Sequence, residues 1–142
     1  MRVLGIDFGD KNIGLAVSDP LQLTAQALDR YRVRSKKEDE KYFKNLVKRY
    51  DIKEIVVGLP LMMDGSRGHR AHRTQEFADW LSSCLDLPVT FWDERLTTKQ
   101  ALQLLRQQKA KPKERKEAKD RISAVIILSD YLESRRANSH DT

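Results

Sequence analysis

The sequence predicts an α/β protein with a mixed sheet and helices covering it. Three observations point there. The chain opens on two short apolar runs, Arg2–Ile6 and Ile13–Val17, joined by the turn residues Gly9-Asp10-Lys11-Asn12, which reads as an antiparallel hairpin. Two later runs of strand length, Lys53–Val57 and Pro88–Trp92, each follow a segment of helical periodicity, as in the strand–helix alternation of parallel sheets. At 142 residues, 39% hydrophobic and 34% charged, the chain has the size and composition of one globular domain.

The elements follow in order. The first run ends in Asp7, and the second in Ser18-Asp19-Pro20. A third strand is expected around Ala27 to Val33. Ser35, with Glu38 three residues on, has the capping-box spacing and opens a helix whose apolar face is Tyr42, Phe43, Leu46, Val47 and Tyr50. The strand Lys53–Val57 is closed by Gly58 and Pro60, and a loop from Leu61 to Gly68 leads to a helix carrying Phe77, Ala78, Leu81 and Leu85. Pro88 to Trp92 is a strand ending in Asp93-Glu94. Thr97 with Gln100 repeats the capping-box spacing and opens a helix with Ala101, Leu102, Leu104 and Leu105. A charged stretch from Gln107 to Lys119 precedes a last helix, from about Lys119 to Arg135. The predicted order is β-β-β-α-β-α-β-α-α.

Composition excludes several classes. The apolar run Ile122 to Leu128 spans seven residues, far short of the roughly 20 of a membrane helix. Asp7 and Asp10 interrupt any signal-peptide apolar region. The single cysteine, Cys84, forms no intramolecular disulfide, makes no multi-cysteine zinc site, and fits a cytoplasmic protein. With 27 Lys+Arg against 21 Asp+Glu, the net charge is +6, which leans toward an anionic partner.

Three carboxylates stand out. Asp7 ends the first strand and Glu94 follows the last. Asp120 shares a helical face with Ala124, Ile127, Leu128 and Tyr131, which aims it at the core side near the helix start. Parallel strands put their C-terminal ends on one edge of the sheet, where α/β sites form. Carboxylates that converge there repel one another unless a cation intervenes, and oxygen-only ligands suit Mg²⁺ or Mn²⁺.

At this point the sequence resembles the YqgF/RuvX family. The resemblance is carried by four blocks in the family's order: Gly5-Ile6-Asp7-Phe8-Gly9 with Ile13 to Asp19; Val57-Gly58-Leu59-Pro60-Leu61 with Met63-Asp64-Gly65; Asp93-Glu94-Arg95-Leu96-Thr97-Thr98; and Asp120 with Ala124 to Leu128 and Tyr131-Leu132. It departs at Asn12, Met62 and Ser123, where the family usually carries Arg, Asn and Ala. The resemblance implies one ribonuclease H-like nuclease domain over residues 1–142, with a five-stranded mixed sheet and helices on both sides. The family is described both as Holliday junction resolvases and as pre-16S ribosomal RNA nucleases. Its catalytic, metal-holding acids map onto Asp7, Glu94 and Asp120, with Asp7 the bridging ligand. Two metal ions in such a site stabilise the attacking and leaving oxygens of an in-line displacement at phosphorus.

Basic residues supply the expected nucleic-acid contacts. From Arg106 to Arg121 eight basic residues face three acidic ones, a net +5 of the chain's +6, with Lys109, Lys111, Lys113, Lys116 and Lys119 the candidates for phosphate contact. A second cluster, Arg67, His69, Arg70, His72 and Arg73, follows a Gly-flanked loop; its histidines lack a third ligand of zinc spacing. Lys11 and Arg95 flank the proposed acids. The expected partner is nucleic acid, either precursor ribosomal RNA or branched DNA, bound by a monomer or weak homodimer with no membrane involved. Two rival readings are a sugar-kinase or actin-like ATPase, for which 142 residues supply one lobe where two are needed, and a non-catalytic nucleic-acid-binding module.

Overall fold

The hairpin forms as its turn residues dictate. Strands β1 (Arg2–Asp7) and β2 (Asn12–Ser18) pair antiparallel, with Leu4 opposite Val17 and Asp7 opposite Gly14. β3 (Ala25–Arg32) pairs antiparallel to β2 and starts two residues before the expected Ala27. The structure, a computed structural model, describes residues 1–96 and 112–140, with the backbone alone for 112–121 and 138–140 and no side chain for Leu96. Helix α1 (Lys36–Tyr50) is capped by Ser35, whose hydroxyl oxygen accepts from the Glu38 N–H at 3.2 Å. β4 (Ile52–Leu59), α2 (His69–Leu85) and β5 (Val89–Asp93) follow, then a single 3-10 turn over Glu94–Leu96.

The sheet order is β3-β2-β1-β4-β5, with β4 parallel to both β1 and β5. The central strands β1 and β4 are covered on both faces, which is why they read as continuous apolar runs rather than alternating ones. On one face Leu4, Ile6, Leu15, Ile55 and Val57 pack with Phe43 and Leu46 of α1 and Ala78 and Leu81 of α2. On the other, Val3, Ala16 and Val56 pack with one helix, α3 (Pro112–His140). Phe91 joins the first layer and Trp92 the second, so both β5 aromatics are packing residues.

The last helix corrects the sequence reading. It starts at Pro112, not near Lys119, so most of the charged stretch is helical. Proline is at home in a first helical turn, and Lys, Glu, Arg and Ala are good helix formers, yet the stretch carries no apolar period to announce them. The helix expected from Thr97, and Lys109 and Lys111, lie outside the described residues. Among the described residues no helix is long and apolar enough to cross a membrane.

Two features seat α3. A Cβ on Gly5 would stand 2.8 Å from the Leu128 Cβ and 3.2 Å from the Ala124 carbonyl oxygen, so the bare backbone of β1 lets the helix axis close in. At the far end Tyr131 donates to the Glu54 carboxylate, and Arg135 pairs with the same carboxylate at 2.6 Å. Position 124 therefore lies over Gly5 while 131 and 135 lie at the start of β4, so α3 runs antiparallel to the parallel strands.

Candidate active site

Because β1, β4 and β5 are parallel, their C-terminal ends share one edge, and both Asp7 and Glu94 sit on it. The register gives their separation in strands: Ile6 pairs with Val57 and Gly58 with Trp92, so Gly58 of β4 stands between Asp7 and the Trp92-Asp93-Glu94 end of β5. Strand alternation puts Asp7 on the same face as Val3 and Gly5, the α3 face.

Glu94 reaches that face through Gly58. A Cβ on Gly58 would meet the Glu94 Oε1 at 2.6 Å, the Glu94 Cγ at 2.8 Å and the Ile127 Cδ1 at 2.5 Å. The Glu94 carboxylate thus fills the space that a side chain on β4 would take, against α3. This role of Gly58 was not legible as such; the Val57-Gly58-Leu59-Pro60 block marked the position but not its purpose.

Position 120 is one helical turn before Ala124, on the face that lies over Gly5. Four helical residues advance about 6 Å, and the two strand residues from Gly5 to Asp7 advance about 6.6 Å in the opposite chain direction. The backbone therefore brings position 120 to the Asp7 end of the sheet. The Asp120 side chain lies outside the described residues, as do those of Lys113, Lys116 and Lys119. Among the described residues no three His, Cys, Asp or Glu side chains gather into one group.

The neighbouring charges are arranged around β5 and the following turn. Arg95 holds Asp93 in a fork, with its Nε 3.1 Å from both carboxylate oxygens, a terminal nitrogen 2.7 Å from Oδ2, and its backbone N–H 3.0 Å from Oδ1. These bonds keep the Asp93 carboxyl below its ordinary range. The same guanidinium reaches the Met63 carbonyl at 3.4 Å and so ties the loop before α2 to the turn that carries Glu94. Within that loop the Ser66 hydroxyl and N–H both donate to Asp64, at 2.6 and 2.9 Å, which lowers the Asp64 carboxyl.

The second basic cluster opens α2, with Arg70 and Arg73 in its first turns. Arg73 pairs with Asp10 of the hairpin turn at 2.8 Å, and Arg67 donates to Gln75 at 2.6 Å. Lys11, His69, Arg70 and His72 are exposed at the same end of the molecule.

The RuvX family, described as Holliday junction resolvase, matches residues 1–134. The chain belongs to this family. A Halothermothrix orenii protein named "Putative pre-16S rRNA nuclease" is 44% identical over 132 residues, covering 93% of this chain and 94% of its own. A protein of the same name from Koribacter versatilis is 45% identical, covering 94% of this chain and 88% of its own. Solved structures show the fold. Thermus thermophilus RuvC in complex with a Holliday junction aligns with TM-score 0.55 at 17% identity, over 96% of each chain. The fowlpox virus resolvase bound to junction DNA aligns with TM-score 0.58 at 14% identity, over 95% of this chain and 99% of its own. The sheet order and flanking helices of this RuvX protein are the ribonuclease H-like fold.

Proposed function

We propose that residues 1–142 of this RuvX protein form one divalent-metal-dependent endonuclease domain, which hydrolyses phosphodiester bonds at the 5′ end of precursor 16S ribosomal RNA in the cytoplasm. The observation that carries the reading is the Glu94 carboxylate lying in the gap at Gly58, one strand from Asp7, at the C-terminal edge of three parallel strands. Both donors are hard carboxylate oxygens, so the set fits Mg²⁺ or Mn²⁺ and not a soft metal. Asp7, Glu94 and Asp120 are the residues that would hold the ions. Bound there, the ions supply Lewis-acid stabilisation of the charge that develops on phosphorus-bound oxygens.

The rest of the work falls to the chain. Arg95, held by Asp93, keeps the Glu94 turn and the Met63 loop in fixed relation, so that the carboxylate does not drift. Lys11, Arg67, Arg70 and Arg73, together with Lys109, Lys111, Lys113, Lys116 and Lys119, supply the phosphate contacts. The choice of ribosomal RNA is supported by the names of relatives that match along nearly their whole length. The second reading, paired cutting of four-way DNA junctions, is supported by the family's description, and it requires two copies aimed at one branch point.

One experiment tests the proposal and separates the two readings. Precursor ribosomal RNA fragments and immobile four-way junctions are offered under equal Mg²⁺ and Mn²⁺. Cleavage near the mature 5′ end of the RNA, lost in Asp7→Asn, Glu94→Gln and Asp120→Asn, is the expected result. Paired symmetric nicks in junctions with the RNA left intact overturn the choice of substrate, and a folded Asp7→Asn protein that cuts at full rate overturns the site.

A further inference from the structure

We propose that the cleft between the start of α1 and the first half of α2 docks one unpaired base of a single-stranded nucleic acid whose backbone runs past Asp7. The cleft has a volume of about 300 Å³ and is lined in part by Phe8, Phe77 and Trp80. It lies on the α1–α2 face of the sheet, opposite the α3 face that carries Asp7 and Glu94. The ligand class rests on the nuclease reading; the geometry of the cleft does not.

The walls suit a base. Phe8 and Phe77 stack with centroids 4.5 Å apart, and Trp80 lies 6.0 Å beyond Phe77, so three half-buried rings form a continuous aromatic wall. Lys36 holds its ammonium 5.4 Å from the centroid of Trp80, a long flexible cation at the rim. Aromatic platforms beside cationic side chains are how single strands are gripped, because every base has a π-face and every nucleotide a phosphate. The volume sits at the small end of the roughly 300–1,000 Å³ of ligand pockets, room for one base with its sugar.

The charges argue for a base inside and phosphate outside. Arg34, Lys36 and Arg73 are matched by Asp10, Asp39 and Glu76, so the interior is no anion trap. Arg73 is already paired with Asp10, and Asp39 accepts from the Tyr31 hydroxyl at 2.6 Å and the Arg34 N–H at 3.0 Å. Arg34 pairs with Glu38 at 3.6 Å, so what remains for a ligand is the Glu76 carboxylate, suited to accept from a base amino group, and the exposed Lys36 ammonium for its phosphate. Phe8 follows Asp7 directly, so a strand that crosses the Gly9-Asp10 turn passes from the carboxylate edge to this cleft. Bases inside a duplex are stacked and paired, and do not enter.

Trp80 makes the test direct. The chain has two tryptophans, and the buried Trp92 indole N–H has no acceptor among the described residues, so Trp92→Phe forfeits no hydrogen bond seen there and leaves Trp80 as the sole reporter. In EDTA, this protein is titrated with a short single-stranded RNA, the same RNA in a blunt duplex, and inorganic phosphate. Binding is followed separately by the anisotropy of labelled RNA. The single strand is expected to quench Trp80, while the duplex and phosphate do not. Trp80→Ala should weaken single-strand binding roughly 5- to 150-fold, the span of one base–aromatic stack. Because Trp80 also packs on the core, exposed Lys36→Glu serves as the second variant and should weaken the same binding without lowering the melting temperature. RNA that fails to bind, binds without quenching Trp80, or binds Lys36→Glu equally well overturns the cleft. Quenching by an RNA that is never cut with Mg²⁺ or Mn²⁺ leaves the cleft standing and removes the nuclease reading, and cutting without quenching does the reverse.

Discussion

Gly58→Ala is the sharpest single perturbation of the site. The added methyl would lie 2.6 Å from the Glu94 Oε1 and 2.5 Å from the Ile127 Cδ1, against ordinary contacts of about 3.5–4.0 Å. The Ile127 Cδ1 and Glu94 Oε1 are ends of side chains and the Glu94 Cγ, at 2.8 Å, must turn with its carboxylate, so both side chains yield by roughly 1 Å rather than breaking the fold. Overpacking of this kind costs about 1–3 kcal/mol, and replacing glycine by alanine in a strand returns about 0.5–1 kcal/mol. The net loss of about 0–2.5 kcal/mol lowers the melting temperature by at most about 8 °C in a domain of this size. Activity has no such cushion, because a misplacement of about 1 Å in a catalytic group costs on the order of 100-fold. Gly5→Ala is the contrast: its methyl meets the Leu128 Cβ and the Ala124 backbone oxygen, which do not swing aside, so its cost appears mainly as lost stability. The assay pairs thermal melts with single-turnover cleavage of the RNA precursor. A Gly58→Ala protein that melts near wild type and cuts within a few-fold of wild type refutes the reasoning, and so does a rate loss no larger than the fraction unfolded.

Three further outcomes are expected. If the carboxylates crowd at the sheet edge, Asp7→Asn raises the melting temperature in EDTA and loses the stabilisation that Mg²⁺ gives wild type, as paired melts with and without metal will show. Burial, with the Asp39 contact, pushes the Tyr31 hydroxyl up to about 12 from 10.0, so the folded state keeps its proton longer than the unfolded one. That stability is fully present below pH 10 and is lost as pH rises toward 12; denaturant titrations across this window should show the fall in wild type and a shallower one in Tyr31→Phe. Replacing Lys111, Lys113 and Lys116 by Gln should weaken RNA and DNA binding alike and flatten the log–log salt dependence by about 0.7–0.9 for each phosphate no longer neutralised, measured by anisotropy across a salt series.

Much of the fold was legible because its signals are local. The turn residues after Asp7, the Ser35–Glu38 cap and the doubly buried runs of β1 and β4 each name their element without knowledge of the rest. The face shared by positions 120, 124, 127, 128 and 131 held for its described members: Ala124, Ile127 and Leu128 are fully buried, and Tyr131 packs partly buried against the same layer. What escaped depends on pairings distant in sequence. The start of α3 at Pro112 escaped because charged helix formers leave no apolar period. The function of Gly58 appears only when the register sets β4 between β1 and β5. Arg95 reads as a phosphate contact from its charge alone, whereas its guanidinium grips Asp93, a partner that only the 3-10 turn reveals. The aromatic cleft joins Phe8 to Phe77 and Trp80 across the intervening helices and strands, with no periodicity to connect them.

The close seating of α3 on Gly5, with Glu54 fastening its far half, fixes more than packing. It makes the helix a ruler whose zero mark is Ala124 and whose working mark is position 120. Deleting one residue among 121–123 turns everything before it by about 100° and draws it back by about 1.5 Å, enough to carry the mark off its face. Inserting four restores the face but oversteps the sheet edge by about 6 Å. The span between those two marks therefore tolerates exchanges of side chain but no change in length, and Arg135 on Glu54 with Arg136 on the Leu23 carbonyl holds the other end of the scale in place.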